Sequence, residues 1–444
     1  MPSEPFRPRV LLLAESANPE WVSVPLVGWS LAEALSRVAD THLVTQVRNR
    51  EALLRAGLVE GRDFTALDTE AVARPLWRAG ERLRGAPGAG WTALTALSAV
   101  AEHAFEEAAW RAFRPRLRGG EFHLVHRITP VSPTVPSPMA ARCRAAGVPF
   151  VLGPLNGGVA WPAGFDDVRR SEHEWLSYVR GLHRLLPGYR STREQAAAIL
   201  VGSRDTWAQM PARLRPKCFF LPENAVDPAR FAVRRPPGGA GPLRVVFVGR
   251  LTPYKGADML LEAAAPLIRE GRVRVEIVGD GPQRPEIEAL VAGEGLGGGV
   301  TLAGWMPHGQ VPQRLAAADV FAFPSIREFG GGAVLEAMAV GLPAMVVDYG
   351  GPADVVTPGT GWLIPPGRRD ELVARFGAGL ARLAGARDEV EARGRAARAR
   401  VREHFTWEAK AGRVMLVYRW VLGRASVRPT FSMPEPDAPA ARAG

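Results

Sequence analysis

With 444 residues, 47% of them hydrophobic and 23% charged, the chain can bury two ordinary cores and is too long for one domain of common size. Its formal charge of +11, from 56 basic against 45 acidic residues, favours anionic partners such as a nucleotide, a lipid phosphate or the inner face of a membrane. The arginines lack the interleaved aromatics of a strand-binding surface, which argues against a specific nucleic-acid partner. Cys143 and Cys218 are too few for a disulfide framework and lack metal-site spacing.

Residues 9–14 (RVLLLA) read as a strand covered on both faces, because the apolar run is continuous instead of alternating. A loop through 18–21, a helix over 25–39 and a strand over 42–46 follow. That order opens a doubly wound α/β domain, whose ligands lie beyond the carboxyl ends of the strands. Alanine, leucine and arginine make 68–118 helical, with a glycine-rich break at 85–90. A strand over 122–126 puts His126 at its carboxyl end, where this fold binds ligands, with His123 the less favoured neighbour. Residues 148–153 form a strand that leads into Gly153-Pro154-Leu155-Asn156-Gly157-Gly158, a sharp turn with exposed amides. Over 175–186, leucines and aromatics mix with arginines, as on an interfacial helix or, equally, on a helix with one side in the core. Strands over 198–202 and 219–222 complete the first half.

Residues 236–242 (PPGGAGP) are the clearest linker, stiffened by proline and released by glycine. A strand over 243–249 then leads into a loop that carries Arg250 and Lys255, followed by a helix over 257–270. An arginine fork and a lysine point charge on one short loop can neutralise a diphosphate. The strand over 273–278 ends in Gly279-Asp280-Gly281-Pro282, which lacks the rest of a dinucleotide fingerprint. A strand over 300–303 precedes Gly304-Trp305-Met306-Pro307, and Val311 stands at the far end of that loop. After a strand over 343–347 come a short helix over 352–356, a strand over 361–364, helices over 369–383 and 386–403, and a last helix from 405 to about 420. The residues from 428, rich in proline and alanine, have nothing to bury.

The most informative stretch is 324–351, PSIREFGGGAVLEAMAVGLPAMVVDYGG. A buried strand over 320–323 gives way to helical spacing from Gly331, and Gly341-Leu342-Pro343 stops the helix. Glu328 and Glu336 bracket the turn. Gly330, Gly331 and Gly332 let a ligand approach the first helical amides without meeting a Cβ. Those amides lack helical partners and point along the helix dipole, which suits a phosphate or diphosphate. Glu328 can reach the front of such a ligand, and Glu336, about a turn and a half into the helix, can bind a diol such as a ribose. Taken alone, the stretch also fits an ordinary glycine loop and a surface glutamate.

Glu328 and Glu336 resemble the two acidic residues of the E-x7-E signature of retaining, GT-B-fold glycosyltransferases of family 4. LEAMAVGLP, DYGGP, the G-R-L-x-x-x-K-G run from Gly249 to Gly256 and GDGP at 279–282 are similar to that family's pattern, above all in a bacterial subgroup that also carries G-P-x-x-G-G. The resemblance implies an α/β GT-B fold, two Rossmann-like domains facing a central cleft. It divides the chain into an acceptor-binding domain over 1–235, an interdomain linker over 236–242 and a nucleotide-sugar-binding domain over 243–404. A helix over 405–425 would cross back to the first domain, ahead of a disordered tail over 426–444. The implied activity is transfer of a hexosyl group, with retention, from a nucleoside-diphosphate sugar of UDP or GDP type to an acceptor hydroxyl. Glycan, exopolysaccharide or glycolipid synthesis is the expected setting, with a glycan, a lipid-linked or a small-molecule acceptor.

By the same resemblance, Arg250 and Lys255 hold the leaving diphosphate with the amides of Gly330, Gly331 and Gly332, and Glu336 holds the ribose. Glu328 and His126 position the sugar, Gly279 and Asp280 lie near the nucleotide, and Val311 frames the base. Asn156 and Gly157 line the substrate side of the cleft. The family's first loop is glycine-rich, whereas this chain has Trp21-Val22-Ser23-Val24 before Gly28-Trp29, with valine where glycine is expected. No D-x-D pair ends a strand, so no metal and no cofactor beyond the donor is expected. The leader is charged and proline-broken and no apolar run has spanning length, so the expected place is the cytoplasm, with peripheral contact at the inner membrane. Attack from the leaving-group side and a covalent intermediate stay open. So do a sugar-nucleotide epimerase, a sucrose-type synthase and a non-catalytic sugar-nucleotide-binding subunit.

Overall fold

Two parallel sheets organise the chain. The computed structural model describes residues 6–84, 91–162, 164–171, 186–236, 239 and 241–431. The described chain divides into two units. One comprises residues up to Gly158, Arg169–Glu223 and Trp407–Phe431, and the other Val159–Val168 and Asn224–Thr406.

The first unit holds β1 (Arg9–Ala14), β2 (Asp40–Gln46), β3 (Phe64–Leu67), β4 (Leu124–Thr129), β5 (Phe150–Leu155), β6 (Ala198–Val201) and β7 (Cys218–Phe220), in the order β3-β2-β1-β4-β5-β6-β7. Val10 to Ala14 are all 0% exposed, which is why the central strand reads as an unbroken apolar run. Leu12 stands opposite Leu43 on one side and His126 on the other. The strand order reverses direction between β1 and β4. At such a point the following loops part to opposite faces and leave a crevice beyond the strand ends. The helix Trp407–Val421 closes this unit, with Ala411, Val414, Val417 and Tyr418 packed in the core that contains Leu12, Leu31 and Leu35.

The second unit holds β8 (Leu243–Val248), β9 (Val273–Val278), β10 (Val300–Gly304), β11 (Val320–Phe323), β12 (Ala344–Val347) and β13 (Gly361–Ile364), in the order β10-β9-β8-β11-β12-β13. Its switch point lies between β8 and β11. Phe323 anchors that seam, its ring 5.4 Å from Phe247 and 5.6 Å from Phe321. Each sheet, with its helices, is by itself a doubly wound parallel α/β unit.

The division between units falls at Glu223, earlier than the end of the 1–235 segment. Residues 224–235 pack with the second unit: the Val226 amide donates to Phe405 O at 2.9 Å and the Arg235 amide to Val340 O at 3.0 Å. Strand β3 and the helix Arg50–Arg55 were not foreseen. Both are short, and FTAL at a sheet edge has one fully buried residue, Phe64, too little to show a period. The interfacial reading of 175–186 falls on residues of which only Leu186 is described, and the 85–90 break and the tail beyond 431 also lie outside the described residues. Among the described residues no helix is long and apolar enough to cross a membrane.

Candidate functional site

The loops after β8 and β11 meet at the second unit's switch point. Backbone bonds lock the first of them to the loop after β9: Leu251 N donates to Asp280 O at 3.0 Å, and Gln283 N to Leu251 O at 3.1 Å. Gly279 has φ +142°, and a Cβ there would lie 1.9 Å from Gly249 O. Its place in GDGP is therefore set by backbone crowding. Asp280 accepts from the Gly281 amide at 2.7 Å with its side chain about half exposed, so it remains reachable.

The turn Pro253–Lys255 is fastened in the same way. Tyr254 O accepts from the Ile326 amide at 3.0 Å and from Ser325 Oγ at 3.1 Å. Gly256, at φ +75°, allows Pro324 O to come where a Cβ would stand 2.7 Å away. This clip brings Lys255 Nζ onto the Glu328 carboxylate as an ion pair, with the ammonium 5.6 Å from the Tyr254 ring and 5.3 Å from that of Phe323. The two side chains are only 16% and 20% exposed. Arg250, at the start of the same loop, is exposed.

The helix Gly332–Ala339 begins at Gly331, which has φ +61° and supplies no side-chain cap. By geometry its first amides have no helical acceptor, and a Cβ on Gly332 would have no neighbour closer than 3.9 Å. The DYGGP motif lies against the preceding turn. Gly351 N donates to Glu328 O at 2.9 Å, and a Cβ on Gly351 would stand 2.2 Å from Phe329 O. The backbone of Gly350 and Gly351 thus sets the course of the chain from Glu328 to Gly332.

Glu336 follows one turn into that helix, and its Oε1 lies 2.8 Å from His308 Nε2. This bond raises the histidine's pKa against the opposing effect of burial. Phe231 meets the His308 ring edge-on at 6.0 Å. Sequence reasoning missed His308. Its signal was the residue directly after GWMP, but only the fold carries that loop to Glu336. The site can therefore present a lysine, a reachable arginine, open helical amides and two carboxylates to an anionic, hydroxyl-bearing ligand.

The structure gives four of the expected features settings of their own. His126 is 0% exposed, with Nδ1 2.6 Å from the Tyr418 hydroxyl and Nε2 2.6 Å from Gly153 O. Burial pushes its pKa down to about 4. The strand continues to Thr129, so His126 lies mid-strand in the core, bonded to the closing helix through Tyr418. Asn156 and Gly157 are also buried. Asn156 Nδ2 donates to Glu223 Oε2 at 2.7 Å, and Gly157 O accepts from Thr206 Oγ1 at 3.1 Å, so they fix the loop internally. The Val311 side chain is 5% exposed and belongs to the core.

The fourth of these features is the first loop. Trp21 and Val22 are exposed, and the left-handed position falls on Ser23, at φ +65°. Gly28 serves close packing, since a Cβ there would lie 2.1 Å from Ser16 O. The valines are therefore not the residues from which this backbone demands glycine.

Residues 234–382 match the family model for glycosyl transferases group 1. The chain is 31% identical over 302 residues to 2-deoxystreptamine glucosyltransferase of Streptomyces kanamyceticus, covering 65% of this chain and 74% of that protein. It is 34% identical over 196 residues to alpha-D-kanosaminyltransferase of the same organism, covering 41% and 51%. To the amylovoran biosynthesis glycosyltransferase AmsK of Erwinia amylovora it is 31% identical over 188 residues, covering 40% and 45%. The match thus spans about half the length of the last two relatives. Among solved structures, Anabaena Alr3699/HepE in complex with UDP superposes with a TM-score of 0.60 at 17% identity, over 93% of this chain and 100% of that one, which is a likeness of fold. The chain belongs to the glycosyl transferases group 1 family, with the GT-B fold.

Proposed function

We propose that the protein is a retaining glycosyltransferase of family 4 that moves a hexosyl group from a UDP- or GDP-type sugar to an acceptor hydroxyl. The observation that carries this reading is the meeting of Lys255, Glu328 and the open amides of the Gly332–Ala339 helix at the β8/β11 switch point, with Glu336 a turn behind. In this reading Arg250, Lys255 and the amides that follow Gly330 and Gly331 bind the diphosphate. Glu336 takes the ribose once His308 yields Oε1, and Glu328 orients the sugar. When the bond from the anomeric carbon to the phosphate oxygen breaks, its electron pair stays on the diphosphate. The fixed cations and amides stabilise that developing charge. The acceptor oxygen then bonds to the anomeric carbon from the leaving-group side, and its proton passes to the departing phosphate oxygen. With this cationic set the leaving group needs no metal.

The relatives' names support sugar transfer over epimerisation or mere binding. We assign the reaction to glycan, exopolysaccharide or glycolipid synthesis on the cytoplasmic side, where the chain's basic surplus suits an anionic membrane face. The test is a panel of nucleotide sugars, ranked by the rise in melting temperature that selective binding to the folded form produces. The best donor is then incubated with candidate acceptors and the product read by NMR. A glycoside with the donor's anomeric configuration is expected. An inverted linkage, or an altered nucleotide sugar without a glycoside, would refute the reading.

A further inference from the structure

The helix Arg387–His404 carries Glu391, Arg395, Arg398 and Arg402 at spacings of four, three and four, which puts them on one face. That face lines a cavity of about 310 Å³, shared with Arg234, Arg235, Val340 and Gly341. The acid in the lining is already used: Glu391 lies 2.7 Å from Arg235, whose guanidinium also reaches Asp319 at 3.3 Å. Arg234, Arg395, Arg398 and Arg402 have no carboxylate partner among the described residues.

Two features separate this from an ordinary basic surface. First, Arg398 Nε is buried with no hydrogen-bond acceptor, and its Nη2 makes only a long contact of 3.5 Å to Ala232 O. A buried donor without an acceptor is costly, and a charged one more so. Burial, together with the neighbouring charges of Arg402 and Arg234, pulls the guanidinium's pKa below its ordinary value. Second, Gly394 sits mid-helix in the cavity wall, where glycine weakens a helix. A Cβ there would lie 2.3 Å from Gly341 O, so the helix is drawn tight against the chain at this point and leaves the arginines standing around a hollow. Arg369, in the same unit, is by contrast paired with Asp258 and Glu262.

We propose that this cavity is a second anion site, built for a phosphate group carrying two or more negative charges. Guanidinium groups suit it because their planar forks bind phosphate oxygens in pairs. The site is distinct from the one at the β8/β11 switch. Val340 and Gly341 lie just past the carboxyl end of the Gly332–Ala339 helix, and the open amides lie at its other end, about 12 Å away at the rise of an α-helix. The helix dipole at Gly341 opposes an anion, so the arginines alone supply the attraction. An occupant would press on the same short helix that carries Glu336. The phosphate comes either from a soluble phosphorylated molecule or from the headgroup of an anionic phospholipid.

The experiment is calorimetric titration of the full chain with pyrophosphate. The comparison is between the natural protein, Lys255→Ala, and the double variant Arg395→Ala/Arg398→Ala, with Arg398→Gln as a milder second variant. The natural protein should bind at two sites. The arginine variants should lose or weaken one by about tenfold or more, as expected when charge-assisted bonds are removed, and should keep the other. Lys255→Ala should show the reverse pattern. Without pyrophosphate, the arginine variants should melt no lower than the natural protein, since like charges are being removed. Two binding events unaffected by the arginine changes, or a single event that depends only on Lys255, would overturn the proposal. Sedimentation with phosphatidylcholine vesicles, with and without phosphatidylglycerol, separates the sources. Arginine-dependent sedimentation with the anionic vesicles identifies a headgroup, and its absence alongside arginine-dependent pyrophosphate binding identifies a soluble phosphate.

Discussion

Lys255 and Glu328 form an ion pair across the switch point, one delivered by the loop after β8 and the other by the loop after β11. The lysine is held by a turn clipped to Ser325 and Ile326, and the glutamate by a backbone clipped to Gly351. In the proposed reaction the pair must open or share, because the ammonium is needed on the diphosphate and the carboxylate on the sugar. Lys255→Ala should lower turnover by about 10²-fold, comparable with losing one preorganised oxyanion donor. Steady-state kinetics at saturating donor check this, and unchanged turnover would remove Lys255 from the chemistry.

Glu336→Gln keeps the shape but removes the charge-assisted acceptor, so nucleotide-sugar affinity should fall by about 1 to 2 kcal/mol. The ribose does not change during reaction, so the loss should fall on KM and leave kcat nearly intact. A fall in kcat alone would contradict the ribose assignment.

His308 adds a pH dependence with a defined sign. Its folded pKa is raised by Glu336, so the stabilisation from the charged pair is complete below the unfolded value of about 6.5. It is lost as pH rises through the higher folded value. Over that same rise the histidine releases Glu336, and affinity for a nucleotide sugar, whose diphosphate does not titrate there, should increase. His308→Ala should flatten the profile, and an unaltered profile in that variant would exclude the competition.

His126 titrates in the opposite sense. Its folded pKa of about 4 lies below the usual 6.5, so the stability of the neutral, buried form is present above about pH 6.5 and is lost as pH falls toward 4. The scale of the loss is ~3 kcal/mol. Tyr418→Phe leaves Nδ1 without its donor and should lower stability by about 1 to 3 kcal/mol, with turnover per folded molecule unchanged. Denaturant melts and initial rates on the same preparation test this, and an intact stability with lost turnover would return His126 to the site.

Much of the fold could be read directly from the sequence. Buried parallel strands such as RVLLLA and LRVVFV announce themselves by unbroken apolar runs, and glycine-bounded turns mark where they end. The placement of the second unit's candidate residues was legible for the same reason: Lys255, Glu328 and Glu336 sit on local motifs whose glycines are demanded by nearby backbone. The burial of His126 and Asn156 in the first unit was not legible, because burial is not local. His126 looks like a strand-end histidine until β4 is seen to run on to Thr129 and Tyr418 arrives from the far end of the chain. Asn156 looks like an exposed turn residue until Glu223 meets it. The partnership of His308 and Glu336 joins two loops that no spacing rule connects.

Ser23 shows how a departure from pattern can be absorbed. A non-glycine residue at φ +65° stores strain of about 1 kcal/mol or more, so Ser23→Gly should raise stability by up to about 1 kcal/mol after the added freedom of the unfolded chain is counted. Gly28→Ala should destabilise, because its Cβ would collide with Ser16 O. Thermal melts of the two variants should move in opposite directions, and a parallel shift would refute the assignment of roles.

The central claim is that the β8/β11 switch holds the nucleotide sugar with Glu328 on the sugar. It is tested most directly by Glu328→Ala, titrated with free nucleoside diphosphate and assayed for transfer. Removing the carboxylate frees Lys255 and leaves the diphosphate contacts in place, so nucleoside diphosphate should bind at least as tightly as it does to the natural protein. Turnover should nevertheless collapse, because misplacing the reacting carbon is costly. Full turnover with unchanged binding would contradict the account.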